Sequence, residues 1–154
     1  MTLYDFVSKI ESSDLNNCQV KWICGINDKE EIMLEKALEN IENHFSLVSL
    51  TKKFNESLIL LKRKYNWSSP YYKELNITNN RPLLKEIDIK TIHAINDLNK
   101  ADNVLYQKIE SRINEQIENE KNFDLDLLKL SMYNKAYSNP IVKSIVGSLK
   151  STFK

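Results

Sequence analysis

Apolar residues return at helical spacing in five stretches of this chain. The first is Phe6, Val7 and Ile10, predicting a short helix near 3–10. The second, Leu34, Ala37, Leu38 and Ile41, falls at i, i+3, i+4, i+7 and predicts a helix over 29–44. Phe54, Leu58, Leu61 and Tyr65 lie on one face of a helix over 53–65. A longer stripe of Ile92, Ile95, Leu98, Leu105, Ile109, Ile113 and Ile117 predicts one helix over 88–118. Phe123, Leu127, Leu128 and Leu130 predict the last, over 123–135. Between the second and third helices, Phe45–Leu50 is a short apolar and hydroxyl-bearing run flanked by polar residues. That is the pattern of a buried strand, and this run is the one main strand expected.

Capping and turn signals punctuate these stretches. Thr2 with Asp5, and Asp28 with Glu31, have the spacing of capping boxes, and Thr51 is placed as an N-cap for the helix after it. Val20 and Trp22 should pack inward from a short element over 17–25 that Gly25 ends. Asp102 lies just off the apolar stripe, so a structural tether to a loop or helix end is its expected role. Ser138-Asn139-Pro140 breaks the last helix. Beyond it, Ile141–Phe153 carries Lys143 and Lys150 as a modest basic amphipathic segment, expected to dock back on the domain or fray. Contact of this segment with a membrane surface is the other option.

The length, 154 residues, suits one domain with its own core. A hydrophobic fraction of 42% and a charged fraction of 28% are ordinary for a globular chain. A formal net charge of +1 gives no bulk field to attract nucleic acid. The only glycines, Gly25 and Gly147, stand far apart, so no glycine-rich phosphate cradle can be built. Cys18 and Cys24 have no zinc spacing and make no disulfide framework. His44 and His93 are distant from each other and read as structural or exposed. No signal segment precedes the first helix, and no apolar run approaches a membrane span of roughly 20 residues, so a cytoplasmic chain without a transmembrane segment is expected.

Leu50, Thr51, Phe54, Glu56, Ser57, Leu58, Leu60, Leu61, Lys62, Arg63 and Trp67 follow a wording that resembles the C-terminal half of the Golgi-type sulfotransferases, the family of heparan sulfate 2-O-sulfotransferase and its bacterial relatives. Asn17-Cys-Gln-Val-Lys-Trp-Ile-Cys-Gly25 resembles a second segment of that family, with Lys21 where arginine is usual. Leu75, Asn76, Thr78, Asn80, Arg81 and Pro82 resemble a third, and Asn99, Asp102, Leu105, Tyr106 and Gln116-Ile117 a fourth. Together they cover roughly residues 3 to 118. Lys52 departs from the family, which has an acidic residue there. Two lysines in a first turn also oppose the helix dipole.

The resemblance implies an α/β, P-loop-like fold, of which this chain is the mostly α-helical C-terminal portion. Residues 1–118 would belong to the sulfotransferase-like domain and 119–154 to a helical extension. It implies transfer of a sulfuryl group from 3′-phosphoadenylyl sulfate (PAPS) to a hydroxyl of a carbohydrate. The loop of Asn76, Thr78, Asn80 and Arg81 would contact that cofactor, with Arg81 as a fork for phosphate. Gln19 and Lys21 would lie near the acceptor. The family's phosphate loop and catalytic base precede this segment. The chain alone is therefore expected to be inactive, with an N-terminal half as its partner. A non-catalytic nucleotide- or carbohydrate-binding module and a helical interaction protein are the alternatives.

Overall fold

The computed structural model describes residues 1–9, 15–68, 72 and 82–139. Among them are seven α-helices: α1 (Leu3–Lys9), α2 (Cys18–Cys24), α3 (Glu30–His44), α4 (Phe54–Tyr65), α5 (Ile89–Leu98), α6 (Lys100–Glu118) and α7 (Phe123–Ser138). The chain forms two compact units. One comprises Met1–Val48 with Asn79–Arg112, the other Ser49–Thr78 with Ile113–Lys154, so α6 supplies residues to both.

No described residue belongs to a strand. Phe45 and Leu50 are extended, at φ −109° and −110°, but they pair with no ladder. The strand expected over 45–50 is corrected accordingly. Short apolar runs are strands only when another strand supplies the missing backbone partners. Here Thr51–Lys53 turns the chain in a single 3₁₀ turn into α4 instead. Thr51 is no side-chain cap, because α4 begins after Lys53. Lys53 forms an ion pair with Glu56 one turn on, at 3.9 Å.

In the first unit α1 packs on α5 and α2 on α3. Thr2 and Asp5 close the expected capping box: the Asp5 amide donates to Thr2 Oγ1 at 3.1 Å and the Thr2 amide returns to Asp5 Oδ2 at 3.2 Å. Asp28 makes no such box, since α3 starts after Lys29 without a side-chain cap. Met33, Ala37 and Ile41 are the buried line of α3, with Leu34 and Leu38 half-buried beside them. Asp88 caps α5 by accepting from the Thr91 amide at 2.9 Å and its hydroxyl at 2.6 Å. These bonds, the hydroxyl's first, hold its carboxyl below the usual aspartate value.

The helix expected over 88–118 is two helices, broken at Asn99 (φ −123°, ψ 36°). No proline or glycine marks the site. Asn99 instead turns its own amide back to Asn96 O and its side chain to Ile95 O at 2.8 Å, a local competition with the helical ladder. After the break Ala101, Leu105, Ile109 and Ile113 form a buried line at four-residue intervals.

In the second unit α4 packs on α7. The buried residues of α4 are Ser57, Ile59 and Leu60, while Phe54 and Tyr65 are exposed. The inward face is rotated from the Phe54–Leu58–Leu61–Tyr65 line expected. Four consecutive apolar residues, Leu58–Leu61, circle the helix, so hydrophobicity leaves its orientation open. Arg63 decides it by facing the α6–α7 turn. Its guanidinium donates to Asp126 Oδ2 through Nε (3.1 Å) and Nη2 (2.8 Å), to Lys121 O at 2.9 Å, and to Glu120. It also lies 5.5 Å above the Phe123 ring. Arg63 in turn holds the Asp126 carboxyl below its ordinary range, and the pairing raises Arg63 itself. On α4's outer side Phe54 meets Tyr72 edge-on at 4.9 Å, and the Tyr72 hydroxyl donates to Asn55 at 2.9 Å.

Candidate functional site

Helix α2 has only seven residues. A helix that short is marginal alone, since nucleation costs more than two turns return. Two side chains from elsewhere in the first unit, Asp102 and Asn40, and one glycine hold it. At its start, Asp102 of α6 accepts from the amides of Gln19 (3.1 Å) and Val20 (2.8 Å). These are the second and third helical amides, the ones an N-cap side chain normally serves. The residue in the N-cap place, Asn17, serves α6 instead. Its Oδ1 accepts from the amides of Ala101 (2.9 Å) and Asp102 (3.1 Å), again second and third in their helix. The two helices therefore exchange caps.

Asn17 completes the joint with its other groups. Its Nδ2 donates to Glu30 Oε1 at the start of α3 (3.0 Å), and its amide donates to Asn99 Oδ1 at the α5–α6 break (3.3 Å). It is fully buried and sits in the left-handed region at φ 46°, a conformation asparagine tolerates better than other side-chain-bearing residues. The tether expected of Asp102 is present, and its target is α2. The capping role of Asn17 was not anticipated, because its partners lie more than 80 residues away.

At the other end Asn40 of α3 donates to Ile23 O at 2.8 Å and reaches Cys24 O at 3.4 Å. Gly25 closes the helix as expected, left-handed at φ 69°, its amide bonded to Lys21 O. Val20 and Cys24 are buried inward, and the Cys24 thiol faces Ile26 O at 3.2 Å.

Trp22 corrects one expectation. It does not pack inward but stands 78% exposed. Gln19, one turn before it on the helix, is exposed as well, and so is Ile26 just past the Gly25 cap. Of the two acceptor-contact candidates, Gln19 therefore lies on the outward face. Lys21 is half-buried, and its carbonyl takes the end of the helix. The cofactor-contact candidates Asn76, Thr78, Asn80 and Arg81 all lie outside the described residues. His44 and His93 are both exposed.

In the second unit a depression of about 550 Å³ opens at the α6–α7 turn, between Ile117, Phe123 and Leu125 and the carboxylates of Glu118, Glu120 and Asp124. Among the described residues no group of three or more His, Cys, Asp or Glu could hold a metal ion, and no helix is long and apolar enough to cross a membrane. No protein-family model matches this chain, and neither a curated protein nor a solved structure matches it.

Proposed function

We propose that this chain works by binding, as a helical interaction module that presents Trp22 to a protein partner. The observation that carries this reading is a 78% exposed tryptophan on a two-turn helix pinned at both ends. Exposed tryptophan is the side chain most enriched among residues that dominate protein–protein affinity. Pinning removes motion that a partner would otherwise have to freeze, so more of the contact energy remains as affinity. Gln19, one turn before Trp22 on α2, extends the face with a polar neighbour. The partner that fits is an apolar pocket for the indole with an acceptor for its N–H.

The test is affinity capture from the source cell's extract by the parent chain and by Trp22→Ala, with helix content matched by circular dichroism. A specific protein retained by the parent and lost with Trp22→Ala supports the reading. An unchanged set of captured proteins, or none with either, refutes it.

A second reading is kept for the sequence resemblance: the C-terminal part of a PAPS-dependent sulfotransferase with an α/β fold completed by an N-terminal half. The collinear matches from Leu50 to Trp67 and from Leu75 to Pro82 support it. It requires Asn76, Thr78, Asn80 and Arg81 to contact the nucleotide. Calorimetric titration of adenosine 3′,5′-bisphosphate into the chain joined to such a half decides it. Loss of roughly 1.5–3 kcal/mol on Arg81→Ala would be its signature.

A further inference from the structure

Helix α7 has apolar residues on two sides, and α4 covers one. Phe123 and Leu130 are buried on its inner side, whereas Leu125, Leu128 and Met132 are 53%, 58% and 62% exposed. Spaced at i, i+3 and i+7, these three form a continuous line, which the exposed Ala136 extends by one more turn. A helix apolar on both sides is normally covered on both sides. The basic segment expected over 141–153 lies outside the described residues.

Charges flank the line, and they are sorted along it. Asp124 and Lys135 are about three full turns apart, so they stand on the same flank at opposite ends. Among the described residues neither forms an ion pair. Their charged neighbours are engaged already. Arg63 takes Glu120 and Asp126, and Asp126 also takes Lys129 at 3.7 Å. Beside Asp124 opens the depression at the α6–α7 turn, lined by Glu118 and Leu125.

We infer that this face is the docking site of a second copy of the chain, the two α7 helices packing antiparallel about a twofold axis. The pattern is complementary to itself in that direction. An isologous antiparallel pair sets each flank against the same flank of its copy. Asp124 then faces the partner's Lys135, and Lys135 faces the partner's Asp124. In the same register Leu128 lies against the partner's Met132 and Leu125 against the partner's Ala136. A parallel pair would set unlike flanks together and place two helix dipoles side by side in the same sense. Glu118 and Asp124 at one end of the line disfavour an anionic lipid surface. One 16-residue helix on its copy makes less than a standard interface of roughly 1,600 Å², so the dimer is weak and concentration-dependent.

The test is sedimentation equilibrium of the full chain over a range of concentrations, with helix content checked by circular dichroism. The parent should pass reversibly from monomer to dimer. Leu128→Asp should abolish the dimer at concentrations where the parent is half-associated. Lys135→Glu and Asp124→Lys each turn both ion pairs into like-charge contacts, so each should weaken association about tenfold or more. The double variant, Asp124→Lys with Lys135→Glu, restores opposite charges and should recover most of the affinity. These charge variants alter exposed side chains, so they report on the contact even if Leu128→Asp unfolds. A parent that is monomeric at every concentration overturns the inference, whether another part of the chain, a lipid surface or an unlike protein then covers the face. A dimer indifferent to Leu128→Asp, or a double variant as weak as the single ones, overturns it too.

Discussion

Asn17 joins helices through a neutral amide and Arg63 through a charged fork, and the two joints should fail differently. Asn17 is fully buried and bonds mainly to backbone amides at helix starts, groups that have no other partner once it is gone. Arg63 keeps part of its side chain in water and bonds to two carboxylates and one carbonyl. When Arg63 is lost, Glu120 can rehydrate. When Asn17 is lost, the Ala101 amide stays buried. Desolvation decides the difference, because the bond counts are similar.

The largest effect should follow Asn17→Ala. Losing its bonds and forcing alanine into the left-handed region should cost on the order of 3 kcal/mol, measured by urea denaturation. Asn17→Gly relieves the backbone strain but not the lost bonds, so about 1 kcal/mol should return. Equal stability of both variants and the parent would make the buried joint no stronger than a surface contact.

Arg63→Met should come next, at about 1–2 kcal/mol, since methionine keeps apolar contact with Phe123 but no hydrogen bond. Its penalty should shrink in concentrated salt, whereas that of Asn17→Ala should not. A salt-independent Arg63→Met penalty would erase the distinction between the joints.

Gly25→Ala should cost about 1 kcal/mol or less. The φ of 69° strains a side chain there, yet a β-carbon would meet nothing within 4 Å. Destabilisation of several kcal/mol would mean the turn is packed more tightly than the structure shows.

The smallest effect concerns acid. Arg63 holds the folded-state value of Asp126 below its ordinary one. A depressed carboxylate contributes stability that is full above its ordinary value, near pH 4, and is lost as pH falls through the lower folded value. Asp126→Asn should therefore flatten the acid limb of the stability curve below about pH 4. An unchanged slope would place the acid sensitivity elsewhere, for example at Asp88, which is also depressed.

Much of the helical layout was legible from spacing, because periodicity and local caps act within a few residues. Gly25 and the Thr2–Asp5 box were legible for the same reason. Asp102 was recognised as a tether from its place off the stripe, but its target on α2 lies more than 80 residues away and leaves no local trace. The break at Asn99 was hidden because an unbroken apolar stripe runs through it. The inward face of α4 was hidden because Leu58–Leu61 is apolar all round and a polar side chain, Arg63, sets the orientation. Phe45–Leu50 looked like a strand from composition alone, and a strand is defined by its partner. Trp22 was expected inside because tryptophan usually is, although α2 has buried partners only for Val20 and Cys24.

The central claim is that α2 is a pinned platform for Trp22, and the amides of Gln19 and Val20 test it most directly. First-turn amides have no acceptor within their own helix, so any protection there must come from outside. Residue-resolved hydrogen exchange should find both amides protected in the parent chain. In Asp102→Ala both should become fast, while the Lys21 amide, bonded to Asn17 O at 3.0 Å, stays slow. Fast exchange at Gln19 and Val20 in the parent would mean that Asp102 does not hold α2, and that Trp22 is merely exposed.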